Sequence, residues 1–325
     1  MKHEVLIVEV GEIRPHPNAD SLGITTIRGF DVIVRLGAWN PGDRGVYVEP
    51  DYVVPNAPWS EMLKGHNRIR VRRLRGIVSQ GLLLSLAEVG LPADLPVGED
   101  VMERLGIVRY QPSEATVGGD NIAGPAVAEG VPAYDLESWR QYRGILAPDD
   151  PVVVTEKIHG ESARFVFAEG RMHLGSRVAW KNPEATTPWS VALRCNPWIE
   201  GWCRAHEGLV LYGEVFGNVP KMAYGVAISG GLKARGFRAF DVLDHGRWLP
   251  WPEFAAIVPP EHRVPVLYEG PHAGVDASMA EGKSTLANHV REGFVVKPTS
   301  ERTSDRIGRV ALKMVGNGYY ESGAD

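Results

Sequence analysis

The chain has 325 residues, of which 44% are apolar and 23% charged, and its formal net charge is −5. This composition excludes a disordered chain, and the length is comfortable for two domains of a soluble globular protein. An apolar run of the ~18 residues that span a membrane, a signal-peptide pattern and a disulfide framework are all missing from the sequence, so we expect a cytoplasmic protein with free thiols.

Residues 4–90 are short apolar runs separated by turn residues, which predicts about five short strands in a small antiparallel barrel. Within this region His16 to Asp20 read HPNAD and are followed by Leu22, and Ser79 to Ser85 read SQGLLLS. The two motifs resemble the oligonucleotide-binding-fold (OB-fold) modules that are appended to tRNA-binding proteins. The resemblance implies an OB-like β-barrel and favours RNA binding, although fold and function are separable.

A basic segment, Lys64 to Arg75, reads KGHNRIRVRRLR and contains no acidic residue. Arg68, Arg70 and Arg72 alternate with apolar residues, which predicts a strand with one basic face. Side chains on that face would lie about 7 Å apart and could bind a nucleic-acid backbone. A solvated edge strand that uses arginine against aggregation explains the pattern equally well. Both interpretations stay open at this point.

The composition changes between about Leu91 and Pro132, where Pro, Gly, Ala and small polar residues dominate without periodicity. Such a stretch is typical of a linker. We therefore expect an OB-like, nucleic-acid-binding domain at residues 1–110, a linker at 111–133 and a second domain at 134–325.

From Tyr134 onward strand-like and helical segments alternate, which predicts an α+β domain. The stretch Val152 to Thr155 is typical of a strand that is packed on both faces. Residues 190–207 and 278–290 are predicted to be helical. Residues 282–285 read GKST, as at the end of a phosphate-binding loop. The glycine that such a loop needs five residues earlier is Ala277, and no apolar strand precedes it, so we discount this interpretation.

Several charged or aromatic residues stand beside the strand-like runs of this half. They are Lys157 in EKIHG, Arg177 in GSR, Glu214 in LYGEVFG, Phe240 and Asp241 in FDV, Glu292 in EGFVVK and Lys313 in ALKMV. Their order and spacing resemble the covalent nucleotidyltransferase superfamily, which comprises DNA ligases, RNA ligases and mRNA capping enzymes. EKIHG is similar to the nucleophile motif of the RNA ligase 2-like branch. With its N-terminal barrel, the chain looks most similar to the Deinococcus-type RNA ligases, and the resemblance implies a nucleotidyltransferase domain of ATP-grasp-like antiparallel sheets with helices.

The resemblance makes Lys157 the nucleophile that attacks the α-phosphate of ATP and forms a phosphoramidate. An ordinary lysine, with a pKa of about 10.4, is protonated at neutral pH and cannot attack. Burial beside the valine run and nearby cations would lower that pKa, and we expect both at this site. The alternative is a lysine at a sheet edge whose amine reaches the solvent.

The resemblance also implies roles for other residues. Glu156 would read the adenine amino group, and Phe240 would stack on the purine. Glu214 would accept hydrogen bonds from the ribose, and Arg177 would contact the sugar or the 5′-phosphate. Glu292 would bind the divalent metal, Mg²⁺ or Mn²⁺, because these cations prefer carboxylate oxygens. The alternative for Glu214 and Glu292 is a surface salt bridge, and the alternative for Phe240 is a position in the core.

Two lysines would neutralise the α-phosphate as pyrophosphate leaves, Lys313 and, less directly, Lys297. Ile158 lies inside the nucleophile motif and would line the same nucleotide site. The sequence departs from the family pattern at Ser162, where asparagine is common, and at the last motif, where Lys-x-Lys is reduced to Lys313. The role of the second lysine would then pass to Lys297.

The resemblance implies an ATP-dependent RNA ligase that seals 3′-OH/5′-phosphate nicks through a lysyl-AMP intermediate. Its partner would be a nicked duplex with an RNA 3′-OH strand; the sequence indicates neither a membrane nor an obligate protein partner. One alternative is a DNA ligase or a GTP-dependent capping guanylyltransferase, which assays of ATP against GTP and of RNA against DNA strands would separate. Another is an RNA-binding protein with an inactive ligase-like half, which ATP would never label.

Overall fold

The computed structural model describes residues 4–110, 120–226, 228–229 and 232–322. These residues fall into two compact units, which divide between residues 113 and 114. Of the predicted linker, residues 111–119 lie outside the described part of the chain. Asn121–Ile122 pairs with a strand of the second unit. The second unit therefore begins before residue 134, which the sequence predicted as its start.

The first unit consists of antiparallel strands. They are β1 (Leu6–Glu9), β2 (Ile13–Pro15), β3 (Leu22–Ile27), β4 (Phe30–Arg35), β5 (Arg44–Val48), β6 (Tyr52–Val53), β7 (Arg72–Leu74), β8 (Ile77–Ser79), β9 (Leu82–Ser85) and β10 (Val108–Arg109). Strands β1, β5 and β9 form one sheet and β2, β3 and β4 another, while β6 pairs with β10 and β7 with β8. Apolar residues such as Ile7, Val46 and Leu84 are buried between these strands. Their regular spacing is why the sequence predicts strands here.

The second unit contains longer strands and several α-helices. Its strands are β11 (Asn121–Ile122), β12 (Glu137–Ser138), β13 (Pro151–Lys157), β14 (Glu161–Ala168), β15 (Arg171–Gly175), β16 (Trp180–Lys181), β17 (Val210–Phe216), β18 (Asn218–Val219), β19 (Met222–Ala223), β20 (Ile228–Ser229), β21 (Leu232–Lys233), β22 (Gly236–Asp244), β23 (Arg247–Trp248), β24 (Val266–Pro271), β25 (Gly293–Pro298), β26 (Thr303–Ser304), β27 (Gly308–Arg309) and β28 (Leu312–Val315). The helices within the described residues are α1 (Trp139–Tyr142), α2 (Pro188–Cys195), α3 (Trp198–Ala205), α4 (Trp251–Ile257) and α5 (Asn317–Ser322).

Two sheets organise this unit. One has seven strands in the order β11-β16-β15-β14-β17-β22-β23, and the other has five in the order β12-β28-β25-β13-β24. Strand β13 runs antiparallel to both of its neighbours. Val152, Val153 and Val154 of this strand have no exposed surface, which confirms the prediction of a strand that is packed on both faces.

The two helical predictions have different outcomes. The segment 190–207 is helical over most of its length, as α2 and α3, and Ile199 and Trp202 bury its apolar face. The helix predicted at 278–290 is wrong, because only a 3-10 turn forms at Ala277–Ala280. Gly282 then adopts a φ of 94°, in the left-handed region that interrupts helical geometry.

No helix among the described residues is long and apolar enough to cross a membrane. Cys195 is exposed and Cys203 is buried, and both are free thiols. Burial raises the pKa of Cys203 to about 12, so that this thiol stays protonated at neutral pH.

Candidate active site

A pocket of the second unit lies at the end of strand β13. Six of the residues that line it are among those predicted for the nucleotide site, and they are Glu156, Lys157, Ile158, Glu214, Phe240 and Lys297. They come from β13, β17, β22 and β25 and from the residue after β13, so the two sheets jointly form the pocket. The fold thus brings together residues that are up to 141 positions apart in the sequence (297 − 156).

Lys157 is the last residue of β13, and its side chain is 20% exposed. Its Nζ donates a hydrogen bond to Oε1 of Glu292 over 2.7 Å. Strand β13 explains the placement, because it is anchored by buried valines and ends where the pocket opens. The lysine therefore points into the site and not into open solvent.

The electrostatic surroundings of Lys157 differ from those that the sequence predicted. Burial lowers the pKa of this lysine, but the carboxylates of Glu292 and Glu214 more than offset it, and the resulting pKa lies above the ordinary lysine value. The expectation of a lowered pKa is wrong for this state of the site. Carboxylates, and not the expected cations, are the groups that face the amine.

Glu214 lies on β17 directly opposite Ser162 of β14, so the two side chains share one face of the seven-stranded sheet. The pKa of Glu214 is raised to about 8, chiefly by burial; Lys157 lowers it, and the nearby Glu292 raises it. Burial thus favours the protonated form of Glu214, whereas the charge of Lys157 favours its carboxylate form. The backbone carbonyl of Ser162 accepts a hydrogen bond from Trp189 Nε1 at 3.0 Å.

Glu292 has one carboxylate oxygen that could receive a cation. Its Oε1 is bonded to Lys157, whereas Oε2 is buried and has no hydrogen-bond partner among the described residues. A buried carboxylate oxygen of this kind fits a hard divalent cation. Three or more His, Cys, Asp or Glu side chains that could together hold a metal ion are not found in the described residues.

His159 and Tyr319 also belong to this site, and the sequence reasoning assigned them no role. The Tyr319 hydroxyl and Nδ1 of His159 are 3.1 Å apart, and the same nitrogen lies 3.9 Å from Oε2 of Glu292. Burial is the largest influence on the pKa of His159 and lowers it. The EKIHG motif could have indicated His159, but nothing in the sequence around α5 marks Tyr319.

The carboxylate of Glu156 is occupied by the segment that was predicted to be a helix. The hydroxyl of Ser284 and the backbone N–H of Thr285, the latter at 2.7 Å, both donate to it, and its side chain has no exposed surface. These two residues end the GKST sequence, which therefore anchors a carboxylate here.

Phe240 lines the pocket beside a second aromatic ring that the sequence did not indicate. The ring centroids of Tyr134 and Phe240 are 4.5 Å apart with a tilt of 46°. Ile158 is buried and packs in the same apolar cluster as Phe240 and Val264. The arrangement gives the pocket an apolar wall that a purine could cover.

Behind the pocket lies a buried ionic network centred on Asp241. Its Oδ2 accepts hydrogen bonds from Lys297 Nζ at 2.7 Å, from Arg309 at 2.8 Å and from the Tyr134 hydroxyl at 2.7 Å. Burial raises the pKa of Asp241, but the opposite effect of Lys297 and Arg309 is larger. The pKa of Asp241 therefore lies below its usual value. The pKa of Lys297 is lowered, and burial is the largest cause. Arg309 was not foreseen from the sequence.

The remaining predicted residues of this unit lie at different distances from the pocket. Lys313 of β28 is the cross-strand neighbour of Val295, which pairs in turn with Thr155; since both of these line the pocket, Lys313 is on the same face of the sheet. Arg177 is not among the lining residues. It is partly exposed and forms an ion pair with Asp135 at 2.8 Å.

The basic segment of the first unit forms less strand than predicted. Only Arg72 of the three alternating arginines lies in a strand, β7, while Arg68 makes an isolated bridge to Val53. Arg68 is also paired with Asp51 at 2.6 Å and lies over the ring of Tyr110. Arg70 and Arg72 are exposed. The prediction of one continuous basic face is therefore wrong, because Arg68 is neutralised within its own unit.

Comparisons with known protein families match both units of the chain. A family model described as RNA ligase matches residues 150–315, about half of the chain, and a model described as an OB-fold domain matches residues 5–86. The chain belongs to the RNA ligase family. Lys157, Glu214, Glu292, Lys297 and Lys313 all lie within the range that the RNA ligase model matches.

Solved structures of the Naegleria gruberi RNA ligase resemble this chain along its whole length. A mutant of the Naegleria gruberi RNA ligase with ATP and Mn is 26% identical, with a TM-score of 0.75 over 99% of both chains. A second mutant with ATP and Mn has a TM-score of 0.77 over 100% of both, and the N. gruberi RNA ligase with pyrophosphate has a TM-score of 0.75.

Curated relatives match a smaller part of the chain. The phenylalanine–tRNA ligase β subunit of Dickeya dadantii is 34% identical over 114 residues, and that of Trichormus variabilis is 33% identical over 116. The match covers 32% of this chain and only 14% of each of these relatives. The match therefore concerns one domain and not the full length of either protein.

Proposed function

We propose that this chain is an ATP-dependent RNA ligase that seals 3′-OH/5′-phosphate nicks through a lysyl-AMP intermediate, with RNA on the 3′-OH side. The observation that carries the proposal is the position of Lys157, which ends a buried strand in a pocket shared with Glu214, Phe240 and Lys297. The N. gruberi structures with ATP and Mn, at 26% identity, support ATP as the nucleotide. The resemblance to the Deinococcus-type enzymes supports the nick as the substrate.

The proposed reaction has three steps, and Lys157 takes part in two of them. Its Nζ loses a proton and attacks the α-phosphate of ATP; an N–P bond forms, the bond to the β-phosphate breaks, and pyrophosphate leaves. A 5′-phosphate oxygen then attacks the same phosphorus and takes AMP from the lysine. Finally the 3′-OH attacks the 5′-phosphate, the phosphodiester forms, and AMP leaves.

The pocket residues take the positions of binding groups in this proposal. Phe240 supplies the face on which adenine stacks, Glu214 and Ser162 are placed on one sheet face for the ribose, and Lys313 and Lys297 lie on the face that would meet the α-phosphate. For Glu156 to read adenine, its contacts with the 281–291 segment would have to give way to the base. Ile158 completes the apolar wall.

The divalent cation, Mg²⁺ or Mn²⁺, is assigned to Glu292 because its Oε2, next to Lys157, is a buried carboxylate oxygen without a hydrogen-bond partner among the described residues. When bound it would supply positive charge beside the phosphates. Arg177 remains a proposed contact for the sugar or 5′-phosphate, although its ion pair with Asp135 would have to open. For the nicked duplex, the first unit is the proposed binding surface, with Arg70 and Arg72 ahead of the neutralised Arg68.

Intact-mass measurement after incubation with ATP and Mg²⁺ or Mn²⁺ tests the proposal. The wild-type chain should gain the mass of one adenylate, and Lys157→Ala should gain none. Arg104→Ala, which removes an exposed arginine of the other unit, is the matched control and should be labelled like the wild type. Labelling of Lys157→Ala would refute the nucleophile, and sealing panels of RNA and DNA nicks would then define the substrate.

A further inference from the structure

The turn between β7 and β8 carries an arginine at an unfavourable position. We name residues 72–79, which comprise the two strands and their turn, the basic hairpin. Arg75 and Gly76 form its turn with φ values of 50° and 92°. A two-residue turn with two positive φ values favours Asn, Asp or Gly, and an arginine there costs conformational free energy.

The HPNAD turn holds this tip in place. The backbone N–H of Asn18 donates to Nδ1 of His16 at 3.0 Å, so the proton of the neutral ring is on Nε2, which donates to the carbonyl of Leu74 at 3.1 Å. Nδ2 of Asn18 donates to the carbonyl of Arg75 at 2.9 Å. Two side chains from a distant part of the sequence thus fix two successive carbonyls of the hairpin tip.

The other strand of the basic hairpin is anchored as well. The backbone N–H of Ile33 in β4 donates to the hydroxyl of Ser79 at 3.0 Å. With contacts at both ends, the hairpin is a rigid support for the side chains that point away from it. Arg72, Arg73 and Arg75 are all exposed, and Leu74 at the tip is 39% exposed.

The charged residues of the hairpin and of the sequence on either side of it are all basic. No acidic residue occurs between Glu61 and Glu88 in the sequence. Within the described residues no carboxylate forms an ion pair with Arg70, Arg72 or Arg75, in contrast to Arg68 with its partner Asp51. The exposed guanidinium groups of Arg70, Arg72 and Arg75, which no described carboxylate pairs with, match a partner with regularly spaced phosphates.

We propose that the basic hairpin binds the phosphate backbone of the nicked duplex, and that His16 and Asn18 are positioning residues which hold its tip. The inference rests on the proposed function for the identity of the duplex. It assigns to the HPNAD turn an indirect part in binding, through the backbone of residues 74 and 75. It also adds Arg73 and Arg75, which lie off the predicted alternation, to the binding surface.

Binding of a fluorescent nicked RNA/DNA duplex, measured by anisotropy over a series of salt concentrations, tests this assignment. For the double variant Arg73→Ala/Arg75→Ala we expect weaker binding and a log–log salt dependence that is shallower by about one for each arginine removed. Arg104→Ala, an exposed arginine among acidic neighbours of the same unit, is the control and should keep the wild-type slope. An unchanged affinity and slope in the double variant would overturn the proposal.

Asn18→Ala tests the positioning role. It should weaken duplex binding, and in an Arg75→Ala background it should weaken it much less, because the residue acts through Arg75. An equal loss in both backgrounds would show that Asn18 serves stability alone. Lys157 adenylation, followed by intact mass in the same samples, should be unaffected. A wild-type chain that binds the duplex but never takes up adenylate would refute the proposed function and leave the hairpin assignment standing.

Discussion

At the scale of single residues, the candidate nucleophile is held as an ammonium–carboxylate pair. Lys157 and Glu292 are 2.7 Å apart, and Glu214 adds a second carboxylate to the surroundings of the amine. An amine in this environment keeps its proton. The proposed attack on ATP would require Glu292 to move away from the amine or to be engaged by another cation.

Replacing Glu292 with glutamine should therefore lower the pKa of Lys157. Burial, which alone lowers this pKa, would then be opposed only by Glu214. The pH dependence of Lys157 modification by an amine-reactive reagent, followed by mass spectrometry without nucleotide, measures the change. Glu301→Gln, which alters a carboxylate paired with Arg309, is the control. A Lys157 titration that stays at the wild-type pH would show that Glu292 does not set the pKa.

Glu214 gives a prediction for the pH dependence of stability. Its folded pKa of about 8 lies above the ordinary glutamate value of about 4.3, so between these values the folded chain binds a proton that the unfolded chain does not. Stability contributed by this group is therefore present below about pH 4.3 and lost as the pH rises to about 8. Glu214→Gln should remove the loss, so its thermal midpoint should exceed that of the wild type increasingly up to pH 8. Parallel pH curves for the two proteins would contradict the raised pKa.

At the scale of elements, Asp241 ties together three strands. It lies on β22, Lys297 on β25 and Arg309 on β27, and the three charges meet out of solvent. The network fixes the strand that carries Phe240 against the strand that follows Glu292. The geometry of the pocket consequently depends on a group that does not face it.

Asp241→Asn should lower the free energy of unfolding by about 3–5 kcal/mol, since it leaves the buried Lys297 without a carboxylate and takes from Arg309 one of its two carboxylate partners. Denaturant titration measures the difference. Asp244→Asn removes a carboxylate of the same strand whose partners, His245 and Arg247, are largely exposed, and should cost about 0–1 kcal/mol. If both substitutions lower the free energy of unfolding by similar amounts, Asp241 does not hold the strands together in the proposed way.

Elements with a strong local signal were predictable from the sequence, and those set by distant contacts were not. The buried strand 151–157 and the helices α2 and α3 follow from their own apolar patterns. The segment 278–290 has helical periodicity, yet Glu156, more than 120 residues away, captures Ser284 and Thr285. Arg68 illustrates the same limit, because its partner Asp51 cannot be inferred from alternation.

The sequence predicted which residues lie together better than it predicted the electrostatic interactions between them. Six of the predicted nucleotide-site residues line one pocket because short motifs mark the ends of strands. The carboxylates around Lys157, the ionic network of Asp241 and the contact between Tyr319 and His159 depend on how separate strands pack. A single sequence contains no local signal for such pairings.

At the scale of the whole molecule, charge is distributed unevenly. The chain as a whole carries a net charge of −5, which repels a polyanionic substrate. All charged residues between Glu61 and Glu88 are nevertheless basic. Binding of a duplex must then depend on local attraction between close charges, and salt weakens attraction between exposed charges most. The Lys157 site is mostly buried, and its internal interactions are screened less.

The two proposed activities should therefore respond differently to salt. Raising KCl from 50 to about 200 mM should reduce nick sealing by pre-adenylated protein in single turnover by about tenfold or more, given a few phosphate contacts. Formation of the lysyl-AMP from ATP should change much less over the same range. Measuring both rates in one preparation, with the Arg73→Ala/Arg75→Ala variant alongside, separates duplex binding from chemistry, because the variant should lose part of the salt sensitivity of sealing and none of its adenylation. A parallel fall of both rates would place the salt effect in the nucleotide site and contradict a separate basic surface for the duplex.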